Sequence, residues 1–370
     1  MHFASKAERE AVNDPRGAAL AASGDPIGYL CSYAPEELIH AAGFHPHRLF
    51  PGQAEISLAD NHLQPYCCHL LRGILEDGLS GRLAYIHGMV FPHTCDAVQR
   101  VSDIWRLNIP QAFFTDVGMP TKLKAKSARR YMTLVLSRFK AELEDAADME
   151  ITPERLGESI GLYNGIRRHL TALYALKSDH PHILSGEDLS TVVRATMIMD
   201  RETALEHLAS LSARLKEAAA ERPPATAKRI LITGSVCDTP DIYSLIEAAG
   251  GSVVGDDLCT GQRWFQGLVP EDLPPLEGLV SRYLDRYICP AKHLDPIARR
   301  DRLIQLIQTH RADGVVFLRL KFCDPHAFDY PHLVQTLEEV GLPHLLVETG
   351  RMDESREQLA TRLETFTEMI

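Results

Sequence analysis

An α/β fold is predicted for this chain: two Rossmann/flavodoxin-like parallel-sheet domains around a central helical section. Three features carry that expectation. Short apolar runs alternate with helical patterns up to about residue 120, which is the signature of a parallel sheet with crossover helices. Strand signals then vanish until about residue 226. They return over residues 227–370. The expected domains are therefore 1–120, 121–226 and 227–370.

In the first part, the polar start MHFASKAEREAVNDPRG reads as a charged helix. ELIHAAG reads as a helix stopped by Gly43, since glycine accepts the left-handed conformation of a helix end. CHLLRGILEDGL repeats apolar residues at helical spacing, YIHGMVF is a strand entering the turn PHTCD, AVQRVSDIW is a helix and IPQAFF a strand. In the middle, Thr152, Pro153 and Glu154 supply a capping hydroxyl, a proline at the first helical position and an acid in the first turn. Leu156, Ile160, Tyr163, Ile166, Leu170 and Leu173 then mark one apolar face. A second long helix starts near Arg201, with Leu205, Leu208, Leu211 and Leu215 on its face, and ERPPATAK reads as the linker that ends it. In the last part RILITGS is a strand, Thr239, Pro240 and Asp241 open a helix closed by Gly250–Gly251, and SVVGDD is strand and loop. DGVVFLRLKF is a buried strand, and PHLVQTLEEVGLPHLLVETG reads as helix, turn and final strand.

Bulk properties exclude some functions. The 370 residues are 45% hydrophobic and 24% charged, with a formal net charge of -11. An acidic surface argues against general nucleic-acid binding, although a local Lys/Arg pocket still leaves room for an anionic ligand. No apolar run approaches the roughly 18 residues of a membrane span, and no secretory signal is evident, so a cytoplasmic protein is expected. Eight cysteines in such a chain are expected to be reduced thiols. There is no CxxC pair, so any metal site has to be assembled by tertiary structure.

Cys68, Cys95 and Cys323 each read as lying next to a strand–turn–helix junction: YCCHLLRG, FPHTCDAVQR and LKFCDPHAFDYP. Ligands of open parallel sheets gather outside the carboxyl ends of the strands. Cys95, Cys237 and Cys323 follow predicted strands from both α/β halves and converge if the two domains face each other. Thiolates are soft ligands, so Fe–S and zinc are both natural occupants. For any single cysteine, a small buried hydrophobe is the ordinary role. His69, His93 and His326 flank these cysteines and are candidates for hydrogen bonds to sulfur or proton supply; with cysteine they also suit zinc. Arg263, Trp264 and Lys292 are candidates for an anionic or planar ligand, against an ordinary packing role. No GxxxxGK[ST] loop is present, and ITGSV lacks the glycines of a dinucleotide fingerprint.

Five blocks taken together are more specific than any one: GYLCSYAPEELIHAAGFHPHRLF, CHLLRGILEDGLSGRL, GMVFPHTCDAVQRVSDIW, GDDLCTGQRWF and KFCDPHAFDYPHLVQTLEEVGLPHLLVETG. In these the chain resembles the family of 2-hydroxyacyl-CoA dehydratases and ATP-dependent benzoyl-CoA reductases. The resemblance implies a two-domain subunit with a cysteine-bound [4Fe–4S] cluster, a homologous partner subunit, an acyl-CoA substrate and a separate ATP-hydrolysing protein that delivers electrons. Carried over by position, the cluster ligands fall on Cys68, Cys95 and Cys323. Cys31, Cys237 and Cys289 lie in or near matching blocks and keep a double-cubane [8Fe–9S] cluster open. Cys67 is expected to pack or be exposed, and Cys259 to be structural or to stand behind the ligands. The implied chemistry is one-electron reduction of a thioester to a ketyl radical anion. A benzoyl-CoA-reductase-type enzyme is the first expectation, a 2-hydroxyacyl-CoA dehydratase the second, and an electron-relay subunit the third.

Overall fold

The computed structural model describes residues 3–52, 54–221, 227–237, 241–286, 289–292, 296–350 and 356–370. Two four-stranded sheets, parallel throughout, organise it. The first contains β1 (Pro26–Tyr29), β2 (His45–Arg48), β3 (Gly88–Pro92) and β4 (Phe113–Val117), in the order β2-β1-β3-β4. The second contains β5 (Lys228–Gly234), β6 (Gly251–Asp257), β7 (Gly314–Leu320) and β8 (His344–Thr349), in the order β6-β5-β7-β8. Both have the same topology, and in both the winding direction reverses beside the first strand, between β1 and β3 and between β5 and β7. Such switch points open a crevice at the carboxyl ends of the strands.

Helices cover the sheet faces, so several strands are buried on both sides. β1, β3 and β6 are buried along their whole length. At the end of β5, a Cβ on Gly234 would lie 1.9 Å from the Leu318 carbonyl of β7, so only glycine lets these strands meet there. IPQAFF is strand only at its end: β4 starts at Phe113. Ile109 still caps the preceding helix Asp96–Asn108, and Pro110 has no N–H for a ladder. SVVGDD is strand through Asp257. The expected helix opening at Thr239 and Pro240 lies outside the described residues, as do residues 222–226 of the linker; the helix itself runs Asp241–Ala248.

The central section consists of helices Ala128–Ala147, Pro153–Asp179, Gly186–Ile198 and Arg201–Ala220. Thr152 caps the second through the Arg155 N–H, as its sequence requires. This long helix serves two cores. Leu156 and Ile160 pack with the first sheet, beside Met132, Leu136 and Phe139. Leu170, Leu173 and Tyr174 pack with Leu208, Leu211 and Leu215 of the last helix. Each such buried side chain contributes roughly 2 kcal/mol of transfer free energy.

Two connections bring the sheets together. Helix Pro275–Asp285, which follows β6, returns to the first core through Leu279, Val280 and Tyr283. Glu36, after β1, accepts from Trp264 Nε1 at 2.6 Å and from Arg201 Nη2 at 3.2 Å. Both partners are buried, so the carboxylate is compensated where a lone charge would be costly. Among the described residues no helix is long and apolar enough to cross a membrane.

Candidate metal centre

Cysteines crowd the carboxyl ends of the strands. Cys31 lies two residues after β1, Cys95 three after β3, Cys237 three after β5, Cys259 two after β6 and Cys323 three after β7. Cys31 and Cys95 thus flank the switch point of the first sheet, and Cys237 and Cys323 that of the second.

Cys67, Cys68, Cys95 and Cys323 line one cavity of about 530 Å³ that opens to solvent. Three of them hold the same local position: Cys68, Cys95 and Cys323 are the N-cap residues of helices His69–Leu79, Asp96–Asn108 and Asp324–Glu339. None accepts a full capping hydrogen bond. The amides of Leu71, Val98 and His326, each three residues on, nevertheless favour the thiolate form. A helix N-terminus attracts negative charge for the same reason. Burial works the other way and wins for the free side chains. It pushes Cys95 up to about 12 and Cys323 up to about 11. Cys68 is raised by its hydrogen bond with Cys67 and by burial. A coordinating metal replaces the proton outright.

A second set of thiols adjoins the first. Cys259 and Cys289 share a hydrogen bond, and both are buried. Cys31 acts electrostatically on Cys95 on one side and Cys289 on the other, and Cys259 acts on Cys323. Ser32 Oγ donates to the Cys259 carbonyl at 3.2 Å, which ties the turn after β6 to the turn after β1. Seven of the eight cysteines therefore gather between the sheets. The eighth, Cys237, packs its side chain among Ile230, Ile242, Tyr243 and Ile246 in the core of the second sheet, while its N–H donates to Thr260 Oγ1 at 3.0 Å. Cys259, expected to be structural or to stand behind the ligands, belongs to the gathered set. No group of three His, Cys, Asp or Glu side chains among the described residues is arranged around a point that a single metal ion would occupy.

The surrounding charge is positive. Arg263 is buried; its Nη1 donates to Cys259 Sγ at 3.3 Å and its Nη2 pairs with Asp257 Oδ2 at 2.9 Å. Asp257 also receives Arg299 Nη1 at 3.0 Å, and these two guanidiniums hold its carboxyl far below the usual range despite burial. Arg263 and Trp264 thus act as packing and pairing residues of the interior. Lys292 ends a short turn of helix, and its side chain lies outside the described residues. Arg48, at the carboxyl end of β2, is 1% exposed and lies over the Tyr29 ring, 5.5 Å from its centroid. Its Nε and Nη1 have no hydrogen-bond partner. In the sequence Arg48 is only a residue of the HPHRLF run, and nothing there marks it.

Of the three histidines, His93 borders the cavity and is held through Nε2 by Asp116 Oδ1 at 2.8 Å. Asp116 is braced in turn by Ser102 and Arg106. His326 Nε2 lies 3.5 Å from Arg263 Nη1; burial, then the charges of Arg263 and Arg299, keep this imidazole neutral, well below its usual range. His69 opens the helix after Cys68 and is half-buried. The rim of the cavity is aromatic: Tyr66, Phe322 and Phe328 are exposed there.

The chain is similar to known proteins along most of its length. The chain is 28% identical to the (R)-phenyllactyl-CoA dehydratase beta subunit of Clostridium sporogenes, over 93% of this chain and 91% of that one. It is 29% identical to one of the subunits of the benzoyl-CoA reductase of Thauera aromatica, over 90% and 89%. It is 26% identical to the lactoyl-CoA dehydratase beta subunit of Anaerotignum propionicum, over 93% and 91%. These relatives are named as subunits of larger enzymes. The model of the family "2-hydroxyglutaryl-CoA dehydratase, D-component" matches residues 31–370, and the chain belongs to that family.

Proposed function

We propose that this chain is the Fe–S subunit of an ATP-dependent acyl-CoA enzyme, with Cys68, Cys95 and Cys323 holding a [4Fe–4S] cluster. The observation that carries the reading is the shared cavity of these three cysteines, each at a helix N-terminus. A cubane takes thiolates spread around a group several ångströms across, whereas zinc draws its ligands to a point. The donors here are spread: they enter from three helices of both sheets, around about 530 Å³. Held by these residues, such a cluster would supply single electrons to an acyl-CoA thioester. The chain's own residues would bind it at the switch point, beside Leu63 and Phe322, with the His93–Asp116 pair at the cavity as a proton relay.

A double-cubane [8Fe–9S] cluster is the second reading of the cofactor. It is supported by the adjoining Cys31, Cys259 and Cys289, which would complete it in place of Cys237.

The substrate reading shifts with the relatives. The family description and two of the three relatives name dehydratases, so dehydration of a 2-hydroxyacyl-CoA is put first and benzoyl-CoA-type reduction second, the latter supported by the 29% match. A homologous second subunit and a separate ATP-hydrolysing electron donor complete the enzyme in this reading. The test is anaerobic co-purification with the homologous partner, iron and sulfide analysis with EPR, and assay with ATP, the activator and each substrate class. Iron near four or eight per chain, and turnover of one class, is expected; a chain free of iron after reconstitution rejects the proposal.

A further inference from the structure

The second set of thiols sits among buried cations that the protein itself does not balance. Arg48, Arg263 and Arg286 are each no more than 4% exposed. Arg263 has Asp257, but Asp257 is shared with Arg299. Arg286 donates to two carbonyls, Ser32 O at 2.6 Å and Arg263 O at 2.5 Å, and its Nε has no hydrogen-bond partner. Arg48 is the extreme case: a fully interior guanidinium with two nitrogens lacking hydrogen-bond partners and an aromatic face on one side. A buried donor without an acceptor is rare in native folds, and a buried cation is retained where an anion meets it.

The strand register says where these donors lie. Arg48 is paired with Tyr29 at the carboxyl end of β1. Two residues after Tyr29 comes Cys31, and Ser32 holds the Cys259 backbone at 3.2 Å. Arg48 is therefore beside the junction at which the turns after β1 and β6 meet. Its guanidinium is near enough to the Cys259 thiol to act on it electrostatically.

We propose that Arg48 donates hydrogen bonds to the sulfur of a metal group held by Cys31, Cys259 and Cys289, balancing its negative charge and raising its reduction potential. Arg48 then acts as a positioning and tuning residue. Hydrogen bonds to cluster sulfur and nearby positive charge favour the reduced state, which carries one more electron. This inference rests on the double-cubane reading above, and iron near four per chain in the wild type overturns it while leaving the single-cluster reading in place.

The test uses the full chain with its partner subunit, purified anaerobically as wild type, Arg48→Met and Arg48→Lys. Three quantities are read for each: iron and sulfide content, EPR-monitored midpoint potential, and the thermal melt. Arg48→Met is expected to shift the midpoint to more negative potential, or to lose about half of the iron, namely the share held by the second set. Arg48→Lys, which keeps the charge, is expected to restore most of the potential and the iron. A melt common to Met and Lys variants separates this from a merely structural effect. If Arg48→Met keeps wild-type iron, potential and spectrum, Arg48 does not act on the metal group and the inference is overturned while the cluster reading stands. If Lys behaves as Met does, charge balance is not the role and the inference fails. If the wild type binds no iron, the Fe–S reading fails first and takes this inference with it.

Discussion

Arg263 Nη1 and Cys259 Sγ lie 3.3 Å apart inside the protein, and the same guanidinium is anchored to Asp257 at 2.9 Å. One cation thus joins the end of β6 to the thiol set and, through His326 at 3.5 Å, to the helix that Cys323 opens. Removing it takes one of two guanidiniums from a buried carboxylate. Arg263→Met is expected to destabilise the fold by about 3–5 kcal/mol, the cost of breaking a buried pair from one side. Arg299 limits the loss, because it continues to pair with Asp257. Denaturant unfolding of the metal-free chain measures the change; a loss below about 1 kcal/mol contradicts the pairing role.

Four cysteines line the cavity, three adjoin it, and Cys237 alone packs into the core of the second sheet. Serine at Cys68, Cys95 or Cys323 is expected to abolish or severely reduce bound iron, since each would remove a ligand of the proposed cluster. Serine at Cys237 is expected to leave iron unchanged and to cost about 1–3 kcal/mol, because it puts a hydroxyl among Ile230, Ile242 and Tyr243. Iron analysis and thermal melts of the four variants separate these outcomes. Iron loss in Cys237→Ser would return that residue to the ligand set.

Much of this was readable in the sequence because the junctions are local. YCCHLLRG, PHTCDAV and KFCDPHAF each combine a turn with the start of an apolar helical face, so the cysteine's position at a helix N-terminus follows from neighbouring residues alone. Cys237 and Cys259 were harder. Both lie just past strands of the second sheet, and the sequence does not say which side chain turns toward the first sheet. That is set by how the turns leave β5 and β6 and by the Ser32–Cys259 contact between segments 227 residues apart. Arg48 and Asp257 were illegible for the same reason. Their importance lies in burial and in partners from distant turns, neither of which leaves a local pattern. The return of helix Pro275–Asp285 to the first core was also invisible, since its apolar face would suit either core equally well.

Acid should unfold this protein through two histidines of β2. His45 and His47 are both buried, and burial, then the charge of Arg201, pulls each down to about 3 from an ordinary value of 6.5. The neutral His45 donates from Nε2 to the Ile198 carbonyl at 2.8 Å. Because the folded-state values lie below the unfolded ones, their contribution is fully present above pH 6.5. It falls as pH drops toward about 3, as the unfolded chain takes up protons the fold refuses. A single shift of this size corresponds to several kcal/mol at the acid end, at about 1.4 kcal/mol per unit. His47→Gln is expected to be less stable than wild type at about pH 7, by about 1–2 kcal/mol from lost packing, yet to lose less stability on going to about pH 4. Denaturant midpoints across roughly pH 4–7.5 provide the check; parallel curves for the two proteins would exclude His47 as a source of acid sensitivity.

Phe322 sits immediately before Cys323 with φ at +63°, a left-handed conformation in which a bulky side chain is strained. Its ring gains little by way of burial, being 47% exposed at the rim of the thiol cavity, where Phe328 is 75% exposed. Lys321 Nζ lies 5.7 Å from its ring centroid, a contact too exposed to offset the strain by much. Strain of about 1–2 kcal/mol retained without compensating burial is characteristic of positions kept for function. The aromatic rim made with Tyr66 and Phe328 suits an apolar acyl group or the face of a partner subunit. Phe322→Gly removes both the strain and the ring. Glycine also gains backbone freedom in the unfolded chain, which offsets part of the relief, so stability should change by less than about 1 kcal/mol in either direction. Function should change far more: weaker partner binding, or an acyl-CoA KM raised by about tenfold, with iron content preserved because Cys323 keeps its turn. Phe328→Ala on the same rim, where φ is helical, should share the functional loss without altering the strain. Unchanged partner affinity and unchanged KM in both variants would leave the rim without a role in recognition.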